Sequence, residues 1–167
     1  MESDVTPDEL ADTLFALFLI RHEHTLFEEL RIRCDSSPTF RPDAFESQIF
    51  AYLAASIALA LTYEYVRQPK TAEVISSLKS LVHGEVVRRG QSMDEVDDSI
   101  EEAAQRLTRL IDAAPEVDTG YSFNWAQEWL KRCGVEEYNP AVLFHFSLKW
   151  KMQNLALAKS VSGARIA

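Results

Sequence analysis

Glycine, proline and cysteine are scarce in this chain: five, six and two among 167 residues. So little glycine and proline excludes collagen-like and low-complexity chains. Glycine stands only at 84, 90, 120, 134 and 163, which leaves no glycine-rich phosphate cradle and no GxSxG nucleophile elbow. Cys34 and Cys133 make no CxxC pair and no zinc spacing. Two free thiols in a reducing compartment are expected, with one long-range disulfide as the alternative. Cations are short as well. Seventeen Lys and Arg against 26 Asp and Glu give a net charge of −9. Nucleic acid is therefore a disfavoured partner, because phosphate contacts need clustered cations.

Long hydrophobic runs are nearly missing. The longest, Ile49 to Leu61, has thirteen residues. As a helix it spans about 20 Å, at ~1.5 Å per residue, while a bilayer core needs ~30 Å. It reads as the central, nearly all-round-buried helix of a soluble bundle, with Leu53, Ile57 and Leu61 in the core. The N-terminus is acidic (Glu2, Asp4, Asp8, Glu9, Asp12) ahead of the apolar run Leu14–Ile20. A secretory signal needs positive charge there, so a cytoplasmic protein is expected.

What is present is helical. At 47% apolar residues the chain suits one domain over 1–167, with loose ends at 1–5 and 161–167. Thr6, Pro7 and Glu9 form a capping box with proline at the first helical position. That helix should end near Cys34, before Asp35-Ser36-Ser37-Pro38. A second helix runs from about Pro42 to Arg67 and is broken by Gln68-Pro69. A third starts at Thr71 and ends by Gly90, behind Arg88 and Arg89, unless Gly84 bends it earlier. Ser92 and Glu95 cap a fourth, whose inner row is Val96, Ile100, Ala103, Ala104, Leu107, Leu110 and Ile111. After a loop from Ala114 to Gly120, a short helix turns Trp125, Trp129 and Leu130 inward. Asn139-Pro140 then starts a last helix through Leu155, toward Ser160. No window alternates as a strand should. The fold class is an all-α, single-domain bundle of about six helices around the Ile49–Leu61 helix.

Metal signatures are absent. There is no HExxH and no EF-hand loop, and no histidine has an acid three residues before it, as di-iron bundles require. The best remaining pair is His24 and Glu28, which share a helix face and could recruit His83 or His145. The plainer reading is a solvated stripe of Arg21, His24, Glu28 and Arg31. No cofactor is expected.

The acidic run from Asp94 to Glu102 is only partly explained. Carboxylates in a first helical turn are favoured by the helix dipole, which accounts for Asp94, Glu95 and Asp97. The Glu-Glu-x-x-Glu element by which helical pyrophosphohydrolases hold magnesium is broken at Gln105. The third reading makes Asp98, Glu101 and Glu102 a docking face for a basic protein. Charge is also uneven along the chain. All acids lie at or before Glu137, and residues 138–167 carry Lys149, Lys151, Lys159 and Arg165 with no acid. That basic last helix, with Phe144, Phe146, Trp150 and Met152, could meet a membrane surface or an acidic partner; packing into its own acidic bundle is favoured. Eight of seventeen aromatics fall between Tyr121 and Trp150 and are expected in the core. Two functions stay open. One is a non-catalytic binding protein of adaptor, chaperone or toxin-neutralising type, presenting an acidic face. The other is a helical-bundle, metal-dependent hydrolase using Asp, Glu and His. A protein partner is expected, a homo-oligomer is allowed, and neither membrane nor nucleic acid is.

Overall fold

A computed structural model describes residues 4–34, 38–113, 123–124, 126–128, 130–131 and 134–167; the side chains of 42–48, 110, 111 and 113 lie outside that description. The protein is an all-α bundle. Helix α1 (Pro7–Thr13) opens on the expected box: Glu9 N donates to Thr6 Oγ1 at 3.2 Å, and Thr6 N donates to Glu9 Oε2 at 2.9 Å. Helix α2 spans His22–Cys34. Then come α3 (Pro42–Tyr65), α4 (Thr71–Arg88), α5 (Met93–Ala113) and α6 (Pro140–Gly163). Residues 123–124, 126–128 and 130–131 are helical too, with Ala126 and Leu130 buried. Trp125, Trp129 and Cys133 lie outside the described residues.

The sequence does not announce what separates α1 from α2. From Leu14 to Arg21 the chain winds as a π-helix. An α-helix turns about 100° per residue, so the buried Ala11 and Leu19 stand ~80° out of phase across two turns. The wider π winding, with its i→i+5 bonds, absorbs the extra residue. From Leu19 inside it onward, Glu23, Leu26, Leu30 and Cys34 also face inward. A carboxylate thereby enters a row that is otherwise apolar or thiol.

Helix α3 packs against the π segment, α2, α4, α5 and α6. Every residue from Ile49 to Ile57 is buried, and so is Leu61. Each such large aliphatic side chain contributes roughly 1.5–3 kcal/mol relative to exposure. Helix α1 lies on α4, where Ser77 Oγ donates to Asp8 Oδ1 at 2.5 Å.

Helix ends follow local chemistry. At the end of α4, Gly90 takes φ +69° and Gln91 N donates to Val86 O at 3.1 Å, a turn that favours glycine. Gly84 does not interrupt α4. Asn139 caps α6 by accepting from Ala141 N at 2.9 Å. Gly134, at φ +77°, sits so close to the Thr39 carbonyl that a Cβ would overlap it.

Among the described residues strand is nearly absent, as expected; the exception joins the chain ends, which were expected to be loose. Asp4–Val5 pairs in parallel with Arg165–Ile166, and Ala167 N donates to Val5 O at 2.8 Å. Gln68, in the turn after α3, holds this pair in place. Its Nε2 donates to Ala164 O at 3.1 Å, and its Oε1 accepts from Ile166 N at 3.4 Å. Two residues a side show no periodicity, so the pairing is decided by where α1 and α6 bring the ends. Residues 1–3 lie outside the described residues.

Candidate functional site

Ionic clusters join helices far apart in sequence. Glu23, only 5% exposed, receives two bonds from the Arg89 guanidinium at 2.6 Å each. Arg89 also reaches Glu85 at 2.8 Å and lies 4.7 Å over the Phe50 ring. Arg88 closes the group on Glu85 at 2.5 Å. The hydrogen bond from Arg88, reinforced by Arg89 against the effect of burial, holds the Glu85 carboxyl at about 2. Glu23 raises the Arg89 guanidinium still further above its ordinary value. The sequence placed Arg88 and Arg89 at a helix C-terminus; the structure adds that Arg89 neutralises a buried acid.

A second cluster ties α2 to α6. Glu29 accepts from His145 at 2.9 Å and from Lys149. Burial raises the Glu29 carboxyl, but the bonds and charges of Lys149 and His145 together outweigh it and leave it below the usual value. Arg165 likewise meets Asp4 at 3.3 Å. Two cations of the acid-free C-terminal stretch thus turn back onto the chain's own acids.

The proposed metal ligands do not converge. His24 is exposed, and Glu28 pairs with Arg31 at 3.8 Å. His83 is held by Asp97 at 3.0 Å on α5, and His145 by Glu29. Among the described residues no three of His, Cys, Asp and Glu gather as an ion would need. Cys34 is a free, buried thiol whose pKa burial pushes up, so its thiolate is disfavoured.

On α5, Asp98, Glu101 and Glu102 are all exposed. None meets Lys149, which serves Glu29. Glu102 bonds Arg106 of its own helix at 2.6 Å, and Arg106 also holds Glu128 of the following helical stretch. Gln105 Nε2 lies 3.5 Å from Glu101. Between Asp94 and Gln105 the exposed residues are all polar.

Helix α6 differs. Its inner row, Leu143, Phe146, Trp150, Leu157 and Val161, is buried. Its outer row is also apolar: Phe144, Leu148, Met152 and Leu155 are 64%, 46%, 63% and 57% exposed. The expected aromatic core is therefore split, with Phe146 and Trp150 inside and Phe144 and Phe123 outside. Sequence reading grouped Phe144 with Phe146, although two residues on a helix point ~200° apart. Beside the outer row runs a groove of about 480 Å³ between the π segment and α6, edged by Leu17, Arg21, His22, Lys149, Met152 and Gln153. Burial, then the charges of Arg21 and Lys149, lower the His22 pKa, so its imidazole is neutral at neutral pH.

No family model, no curated protein and no solved structure matches the chain. No helix among the described residues is long and apolar enough to cross a membrane.

Proposed function

We propose that the protein is a non-catalytic binding module, of adaptor, chaperone or toxin-neutralising type, that presents the acidic face of α5 to a basic protein. Asp98, Glu101 and Glu102 are the centre of that face. One observation carries this reading: Asp98, Glu101 and Glu102 are all exposed on one helix, and between Asp94 and Gln105 the exposed residues of that helix are all polar. Lys149 of α6 pairs with Glu29 of α2, and Glu102 stays exposed beside its partner Arg106, as do Asp98 and Glu101. Exposed surface carboxylates steer a cationic partner and speed its encounter. A cytoplasmic setting fits the unpaired thiol of Cys34.

The test is co-purification from native-host extract on immobilised wild-type protein and on Glu101→Lys/Glu102→Lys, with mass spectrometry of what is retained. A basic protein held by wild type, released as salt rises through ~0.5 M and lost on the reversed variant, is the expected result. Recovery of the same proteins on both columns would remove the α5 face from consideration.

A further inference from the structure

The outer row of α6 has no explanation in the bundle or in the acidic face. A helix that is apolar all round is ordinarily covered on all sides. Scattered exposed apolar residues are unremarkable, but a contiguous row marks an interaction surface. Phe144, Leu148, Met152 and Leu155 follow at steps of four, four and three, the spacing of one helical stripe. The stripe is about 17 Å long at ~1.5 Å per residue, or three turns. Across the groove, Leu17 extends it on the π segment, where it is itself exposed.

The charge around this surface selects the occupant. Arg21 edges the groove beside Met152, and Lys159 stands one turn past Leu155 on the same row. Both are among the cations that no described carboxylate pairs. No acid occurs anywhere in α6. Gln153, buried and edging the groove, receives no hydrogen bond from a described residue and offers an amide donor. A second copy laid on the same row would set Arg21 and Lys159 against cations. The exposed face of α5 between Asp94 and Gln105 has no apolar side chain to cover the row.

We infer that the outer row of α6, with Leu17, seats an amphipathic helix of a partner protein whose apolar stripe is edged by carboxylates. The stripe fills the row in helix-in-groove fashion, and the carboxylates reach Arg21 and Lys159. This surface is independent of the α5 face, so the two can fail separately.

The experiment uses two dye-labelled helical peptides of about eighteen residues. They share one leucine stripe; one is edged by glutamate, the other by lysine. Anisotropy titration against the full chain should show saturable binding of the glutamate peptide, at least ~10-fold tighter than the lysine peptide. Leu148→Gln/Met152→Gln should weaken the glutamate peptide at least ~10-fold. Arg21→Glu should abolish the preference between the peptides, and Glu101→Lys/Glu102→Lys should leave it intact. These sites are exposed, so circular dichroism should report unchanged helix in every variant. Equal affinities, or binding indifferent to Leu148→Gln/Met152→Gln, would overturn the inference. So would a free protein that sediments as a dimer and is dissociated by that variant, or phosphatidylglycerol vesicles that displace the peptide.

Discussion

Helices α5 and α6 both pack on α3, and they meet solvent in opposite ways. α5 keeps Ala103 and Leu107 inside and turns Asp98, Glu101 and Glu102 outward, so its outer face is complete in water. α6 keeps Phe146 and Trp150 inside and still turns Phe144, Leu148, Met152 and Leu155 outward. On the proposed reading, the first helix would engage a partner through charge alone. The second leaves apolar area in water, at roughly 25 cal/mol per Å², for which the bundle supplies no cover. If both proposals hold, the difference separates two kinds of recognition on one molecule: charge that governs encounter, and apolar contact that governs residence.

The sharpest way to break this contrast is to truncate two phenylalanines on the same helix. Phe146→Ala should cost about 3–5 kcal/mol, by lost transfer energy and a cavity. Phe144→Ala should stay within ~0.5 kcal/mol, as at an ordinary surface site. Urea unfolding of both variants measures the difference, and similar losses would mean that the two rows of α6 are misassigned.

Removing Arg89 tests whether an acid on the inner face stands only because it is paired. Arg89→Ala strands Glu23 among apolar neighbours and should cost about 3–5 kcal/mol. Arg89→Ala with Glu23→Leu should recover much of that. A double variant no more stable than the single one would show that the pair is not the relevant term.

Acid should reach the same cluster more gently. The Glu85 carboxyl is depressed from an ordinary 4.5 to about 2. Its contribution is therefore fully present above pH ~4.5 and is lost as pH falls through its folded value near 2. Because Arg88 is largely exposed, solvent reduces that contribution to no more than about 2 kcal/mol. The stability gap between wild type and Glu85→Gln should narrow steadily from pH 5 to pH 2.5. A gap that stays constant would detach it from ionisation of Glu85.

Smallest of all is the effect expected on the α5 face. Glu101→Lys/Glu102→Lys should move stability by no more than ~0.5 kcal/mol, the Arg106 pair being a surface one. A larger loss, read by thermal melting, would make these carboxylates structural and would weaken their role as a docking face.

Legibility from sequence followed the range of the interactions. The Thr6–Glu9 box, the Asn139 cap and the Gly90 turn rest on residues within five positions of one another, so each helix start or stop was readable. The burial of Leu53, Ile57 and Leu61 followed from an apolar run too long for any half-exposed face. The solvated stripe of His24, Glu28 and Arg31 was also readable. Glu23 was not. Its inward turn depends on the π segment, and its partner Arg89 is 66 residues away. The outer row of α6 was visible as four apolar residues, but nothing in the sequence says which of two apolar rows will meet α3.

Composition, spacing and caps determined that this chain is helical, where most helices begin and end, and which helix carries the long apolar run. These are properties of neighbours along the chain, fixed by 3.6-residue periodicity and by the hydrogen bonds a helix end lacks. Only tertiary structure decided that Lys149 turns to Glu29 rather than to Glu101 or Glu102, that Arg89 neutralises Glu23, that the two chain ends pair beside Gln68, and that Phe144, Leu148, Met152 and Leu155 are left in water. Charge pairing and burial depend on which surfaces come within a few ångströms of each other. In a chain with cations and carboxylates on most helices, many pairings satisfy the same local rules, and packing around α3 selects one.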